Sequence, residues 1–163
     1  MEKFQGKYRA ESHRRRGWDY ATEGAYFLTL CTNHRLRLFG EVRNGIMLLS
    51  DYGKIVEEEW LRSASLREEI TLGVFQVMPD HFHAIVHLTS PEMALPKTDV
   101  NQKLRRSPRS ISSLVAGFKA TVTRRLSLKR LWQPNYHDRI IRSPAEYDRI
   151  AQYIKRNPER WKG

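Results

Sequence analysis

"EITLGVFQVMPDHFHAIVHL", residues 69–88, decides the fold. Two runs rich in β-branched and aromatic residues flank Pro79-Asp80, which reads as a turn, so the pair predicts an antiparallel hairpin. Successive strand side chains point to opposite faces. Phe82, Ala84, Val86 and Leu88 therefore share one face, which is apolar and belongs against a core. His81, His83, Ile85 and His87 share the other. The Cα atoms of His81 and His83 should stand roughly 7 Å apart. At that separation two imidazoles can converge on one ion about 2.0 to 2.1 Å from each nitrogen. His87 lies roughly 13 Å beyond His83, too far to join them. Spacing alone leaves open the plain alternative of two polar residues on a wet face.

Before this hairpin, "AYFLTLCT" (25–32) reads as a strand, and Asn44-Gly45 within "RLFGEVRNGIMLL" is a two-residue hairpin turn. "SDYGKIVEEEWLRSA" predicts a helix capped by Ser50, with Tyr52, Ile55, Val56 and Trp60 on its inner face. After the hairpin, residues 90–108 hold three prolines and many polar residues, a loop. "SISSLVAGFKATVTRRLSLKR" predicts a basic amphipathic helix with Ile111, Leu114, Val115, Phe118, Val122 and Leu126 in one stripe. A strand should end at Ile140-Ile141. "SPAEYDRIAQYIKRNPERW" is a helix with Ser143 as cap, Pro144 at its first position and Glu146 completing a capping box. The order predicts an α+β fold: a ferredoxin-like sandwich, one antiparallel sheet with helices on one face and a further helix at the C-terminus.

The chain has 163 residues, enough for one core, and 29 Lys and Arg against 18 Asp and Glu, net charge +11. Such a balance favours a polyanionic partner, nucleic acid first. No apolar run is long enough for a membrane span, no signal-peptide core follows the N-terminus, and the single cysteine, Cys31, excludes a disulfide framework. A cytoplasmic protein is expected, without a membrane role. Residues 1–20 read as a basic arm carrying Arg14, Arg15 and Arg16, and 21–163 as the domain. Residues 97–130 hold ten Lys or Arg against one acid. Arg105, Arg106, Arg109, Lys119, Arg124, Arg125, Lys129 and Arg130 are the expected DNA contacts there, with a solvated face as the bland alternative.

In the last helix Tyr147, Ile150, Ala151 and Ile154 form the inner stripe, and Tyr153 and Asn157, four apart, flank it on one side. Read blandly, Tyr153 is a boundary aromatic and Asn157 a cap. Read chemically, a tyrosine nucleophile stands one turn from an oxygen ligand. A phenol is a poor nucleophile at neutral pH. An ion held by His81 and His83, with basic surroundings, would offset the charge developed in phosphodiester cleavage.

"MPDHFHAIVHL" resembles the histidine-hydrophobic-histidine (HUH) motif of single-tyrosine transposases of the insertion-sequence-200 type. "SLVAGFKATVTRRL" and "LWQPNYHDRIIRSPAEYDRIAQYIKRNPERW" resemble one branch, the REP-associated tyrosine transposases. The likeness runs from about residue 20 to the end. It implies metal binding by His81 and His83, Tyr153 as nucleophile, and Asn157 at the position of a third, variable ligand. It implies Mg²⁺ or Mn²⁺ as cofactor and single-stranded DNA near hairpins as substrate, cut and joined through a 5′-phosphotyrosine. Relatives act as monomers or as homodimers that exchange tyrosine helices. Family members often continue past the tyrosine helix, so contacts from a tail beyond Gly163 are not expected. Tyr136, beside His137, is a rival nucleophile without a partner ligand at i+4. Tyr136, His137 and Asp138 are expected to shape the site or touch DNA, and Trp132 to stack on a base or lie buried. The alternatives are a non-catalytic DNA- or RNA-binding protein of the same fold, or a relaxase or replication initiator with the same chemistry.

Overall fold

The computed structural model describes residues 23–89 and 110–163, together with the backbone of two short strands, β1 (Lys3–Phe4) and β2 (Lys7–Tyr8). Arg14, Arg15, Arg16, Arg105, Arg106 and Arg109, and the 90–108 loop, lie outside the described residues. The further elements are β3 (Gly24–Cys31), a 3-10 turn (Asn33–Arg35), β4 (Gly40–Arg43), β5 (Ile46–Leu49), α1 (Asp51–Leu66), β6 (Ile70–Val77), β7 (His81–Leu88), α2 (Ile111–Leu126), β8 (His137–Ile141) and α3 (Pro144–Lys155).

The main sheet runs β6-β7-β3-β8, with every neighbouring pair antiparallel. In the unit β3-α1-β6, strand β7 fills the gap between the two strands. In β7-α2-β8, strand β3 does the same. This interleaving is the ferredoxin-like arrangement expected from the order of elements. The predicted hairpin β4-β5 forms beside it, and Asn44 and Gly45 take φ of 51° and 73° to turn the chain.

Alternation sorts the sheet's side chains as the sequence implied. Tyr26, Leu28 and Leu30 of β3 join Phe82, Ala84, Val86 and Leu88 of β7 in the large core under α1 and α2. Trp60 of α1, Phe82 of β7 and Phe118 of α2 meet there with ring centroids 5.0 to 5.5 Å apart. Truncating rings packed this way typically costs about 3–5 kcal/mol. The whole predicted stripe of α2 is buried. In β6 the register slips between Leu72 and Phe75, a bulge that keeps both residues against this core although they are three apart. Ser50 caps α1, its Oγ accepting the Gly53 amide at 3.1 Å and donating to the Leu38 carbonyl at 2.7 Å. Tyr52, expected inward, is exposed. In that first turn Gly53 faces inward, where any Cβ would collide with the Phe39 carbonyl oxygen.

The helices on the large-core face are α1 and α2. Helix α3 lies across the opposite face, the face of the histidines. There Ala151 and Ile154 pack on Ile85, joined by Phe27, Val74, Ile141, Tyr147 and Ile150. The sheet thus carries a second, smaller apolar patch at one end of the histidine face, and α3 covers it. Ser143 caps α3 by accepting the Glu146 amide at 3.1 Å. Glu146 does not return the bond to Ser143. Its carboxylate takes the Arg142 amide at 3.1 Å and Arg139 Nε at 2.7 Å, and the amide bond above all holds its pKa below the usual range. The helix start is thereby tied to the end of β8.

Candidate active site

The register of β3 and β7 pairs Thr29 with His83 and Cys31 with His81 on the face that α3 covers. The histidines are not on a wet surface: His81 is 7% exposed and His83 5%. Their ring centroids are 4.6 Å apart, so the imidazoles converge as the alternation implied.

Each imidazole is oriented by a neighbour. Asp80 Oδ1 accepts from His81 Nδ1 at 2.6 Å, while Arg35 Nε donates to Asp80 Oδ2 at 3.1 Å. The sequence marks Asp80 as a turn residue; the fold buries it, and it braces His81. Nδ1 is thus the ring nitrogen turned to Asp80, and Nε2 the one left facing Asn157 and the cavity. His83 Nδ1 meets Thr29 Oγ1 at 2.8 Å. Burial, reinforced by His81, lowers the His83 pKa to about 3, so His83 is neutral at physiological pH and needs no deprotonation to act as a ligand.

Helix α3 brings the other two groups. Tyr153 is 43% exposed, and its ring stands 5.5 Å from that of His83 and 6.2 Å from that of Phe27, edge-on to each. Asn157, one turn on, places Oδ1 3.2 Å from His81 Nε2. The two atoms are within hydrogen-bond distance of each other, and both face the cavity. Ligands about 2.1 Å from a shared ion stand about 3.0 to 3.4 Å apart, which is the spacing seen. His81, His83 and Asn157 therefore fit a divalent ion with open positions. Among the described residues no cluster of three or more His, Cys, Asp and Glu suits an ion. Cys31 stays a thiol: burial pushes its pKa up, against the pull of Arg35, which donates to Sγ at 2.8 Å.

Thr29, Cys31, Arg35, His81, His83, His137, Tyr153, Asn157, Arg160, Trp161 and Lys162 line one open cavity of about 420 Å³. The sequence reading missed Asp80, Thr29, Arg35 and the terminal Arg160, Trp161 and Lys162. "DHFH" held a signal for Asp80, a carboxylate beside the first histidine. Asp80→Asn should weaken Mn²⁺ binding by roughly 10- to 100-fold, as losses of ligand-orienting carboxylates do. Titration calorimetry reads this, and an unchanged Kd would remove Asp80 from the site.

The other expected residues divide. His137 lines the cavity, whereas Tyr136 is buried in the large core on the opposite face with its hydroxyl 3.5 Å from Ser112 Oγ. Trp132 is buried between Phe39 and Phe118. His87 is outside the site, 3.3 Å from the Tyr147 hydroxyl. Arg124, Lys129 and Arg130 are exposed at the end of α2 and just beyond it. Lys119 is half-buried, donating to the Gln133 carbonyl at 2.8 Å and lying over the Tyr136 ring. Arg125 bridges Glu58 and Glu59 of α1 at 3.0 and 2.8 Å, so these two cations serve internal contacts that charge counting cannot see.

The low His83 pKa has a consequence for the metal-free protein. An unfolded histidine binds its proton near pH 6.5 and the folded one only near 3. Below pH 6.5 the unfolded state therefore holds more protons, and stability falls with pH by up to about 1.4 kcal/mol per unit. Urea unfolding between pH 6.5 and 4.5 should show that slope reduced by about one proton in His83→Gln. Parallel profiles would contradict it.

The chain thus sets two converging imidazoles, a tyrosine and an asparagine on one face of a ferredoxin-like sheet. A solved REP-associated tyrosine transposase, bound to a REP hairpin, has this fold: the match covers 91% of this chain and 73% of that one, with TM-score 0.64 at 23% identity. A Deinococcus radiodurans R1 protein of known structure superposes less well, with TM-score 0.47 at 21% identity over 87% of this chain and 95% of its own. No family model matches the chain. An uncharacterized protein of Haemophilus influenzae (strain Rd) is 32% identical over 171 residues, covering 95% of this chain and 94% of its own, and the chain belongs to one family with it. Among the described residues no helix is long and apolar enough to cross a membrane.

Proposed function

We propose that this chain is a transposase that cuts and joins single-stranded DNA, with Tyr153 as the nucleophile. The observation that carries the reading is the convergence of His81, His83, Asn157 and Tyr153 on one cavity. The fold shared with a REP-associated transposase supports it, as does the hairpin-bound state of that neighbour.

His81, His83 and Asn157 would hold Mg²⁺ or Mn²⁺, which when bound draws electron density from a phosphate oxygen. Arg35, Arg160 and Lys162 add positive charge at the cavity and attract the phosphate. Asp80 and Thr29 fix the two imidazoles. The Tyr153 hydroxyl oxygen attacks phosphorus as its proton leaves to solvent. The bond from phosphorus to the 3′-oxygen breaks, and that oxygen takes a proton from solvent, leaving a free 3′-hydroxyl and a 5′-phosphotyrosine. In joining, a 3′-hydroxyl attacks that phosphorus and tyrosine leaves. Helix α3 packs on its own sheet, so this chain's Tyr153 faces its own histidines. Hairpin-bearing DNA is the expected substrate, and exposed Arg124, Lys129 and Arg130 suit its backbone.

Incubating the protein with a hairpin-bearing single strand and Mn²⁺ should leave a covalent protein–DNA adduct on a denaturing gel. Salt-sensitive binding with no adduct and no metal dependence would instead indicate a non-catalytic nucleic-acid binder.

A further inference from the structure

We propose that Trp161 and Arg37 form a clip for one unpaired nucleobase beside the candidate catalytic cavity; this rests on the DNA-processing reading above. Trp161 is half-buried and belongs to neither apolar cluster, unlike Trp60 and Trp132, which are buried in the large core. It lines the cavity with His81, Tyr153 and Asn157, among the cations Arg35, Arg160 and Lys162. An indole surrounded by cations at a cavity rim is a poor core residue and a good platform for a base whose phosphates need partners.

The local backbone fixes it there. The Arg160 amide donates to the carbonyls of Arg156 and Asn157 at 3.2 Å, and the Trp161 amide to that of Pro158 at 3.3 Å. The indole is thus carried by a turn, begun at Arg156, that contains Asn157 itself. A base recognised by Trp161 therefore belongs to a nucleotide next to the scissile phosphate.

Distances select where the base enters. The Trp161 and His81 centroids are 6.1 Å apart and tilted by 33°. A ring held between two others needs about 7 Å, two contacts of about 3.5 Å each. His81 is held by Asp80 and cannot give way. The guanidinium of Arg37 lies 5.5 Å from the indole centroid, and Arg37 is exposed. It can move out by the missing ~1.5 Å and close on the far side of an inserted base, so that guanidinium and indole stack on its two faces. Stacking reads no hydrogen-bond pattern, so the clip accepts any base.

The test compares a labelled 20-nucleotide thymidine strand with an abasic strand of equal length, by fluorescence anisotropy in EDTA, where cleavage is absent. Trp161→Leu should weaken binding of the thymidine strand roughly tenfold, within the range for base–aromatic stacking, and leave the abasic strand unchanged. Trp161→Phe should keep most of the affinity. Equal losses on both strands, or none, overturn the clip, and equal losses shared by the Phe variant would mark Trp161 as a structural residue. The adduct assay judges the reaction separately. Stacking without an adduct leaves the clip standing and removes the nuclease reading, and an adduct without the stacking signature does the reverse.

Discussion

Under the proposed function, Tyr153→Phe should abolish the covalent protein–DNA product while leaving the fold, metal binding and DNA affinity as they were. The substitution removes one oxygen from a residue that is 43% exposed, so the change in stability should stay within about 0.5 kcal/mol. The edge-on contacts of the ring with His83 and Phe27 need only the ring, which phenylalanine keeps. Loss of the nucleophile removes the whole covalent route, so the adduct should fall by roughly 10⁴-fold or more, to the detection limit. Binding of the same strand in EDTA should change less than about twofold, because the hydroxyl is not one of the groups that carry charge. Tyr136→Phe is the matched control. That hydroxyl is buried on the other face of the sheet and should not affect adduct yield. An undiminished adduct in Tyr153→Phe, or its loss in Tyr136→Phe alone, would reverse the assignment of the nucleophile.

Local rules made much of this arrangement legible in the sequence. Alternation along β7 put His81 and His83 opposite Phe82 and Ala84, and the i, i+4 spacing put Tyr153 and Asn157 on one side of α3. The caps Ser50, Ser110 and Ser143 each accept a backbone amide where helix starts were expected or implied. What these rules could not give was which face of the sheet α3 would cover. That depends on Ile85, Phe27 and Ile141 meeting across three strands, a patch that no single segment displays. The same blindness hid the depth of the histidine pair, because a strand's outer face becomes an interior once a distant helix lies on it. Charge counting failed in a related way. Lys119 and Arg125 belong to the basic stretch, but one is held by a loop carbonyl and the other by the acids of α1. The cations that line the cavity, Arg35, Arg160 and Lys162, sit outside that stretch and are brought together only by the closing of the fold.

The second large effect separates the two histidines. His81→Ala and His83→Ala should each lower adduct formation in Mn²⁺ by roughly 10²- to 10⁴-fold, because each removes one of the three donors proposed, among the described residues, to hold the ion. Their effects on the rest of the protein should differ. His81 is the hydrogen-bond partner of the buried Asp80 carboxylate, so its loss leaves that charge, among the described residues, to Arg35 and costs stability as well as metal affinity. His83 is bonded to the Thr29 hydroxyl, a neutral group whose loss of a partner costs less. His83→Ala also removes a histidine that burial keeps neutral and that opposes folding in acid. It should therefore give the cleaner result: metal binding lost, unfolding in urea little changed at neutral pH, and acid tolerance improved. Mn²⁺ binding followed by electron paramagnetic resonance gives a readout apart from activity, with free ion appearing at concentrations that wild type binds fully. If His83→Ala binds Mn²⁺ as tightly as wild type, the ion is held elsewhere, and the convergence of the two imidazoles is a feature of packing rather than of catalysis.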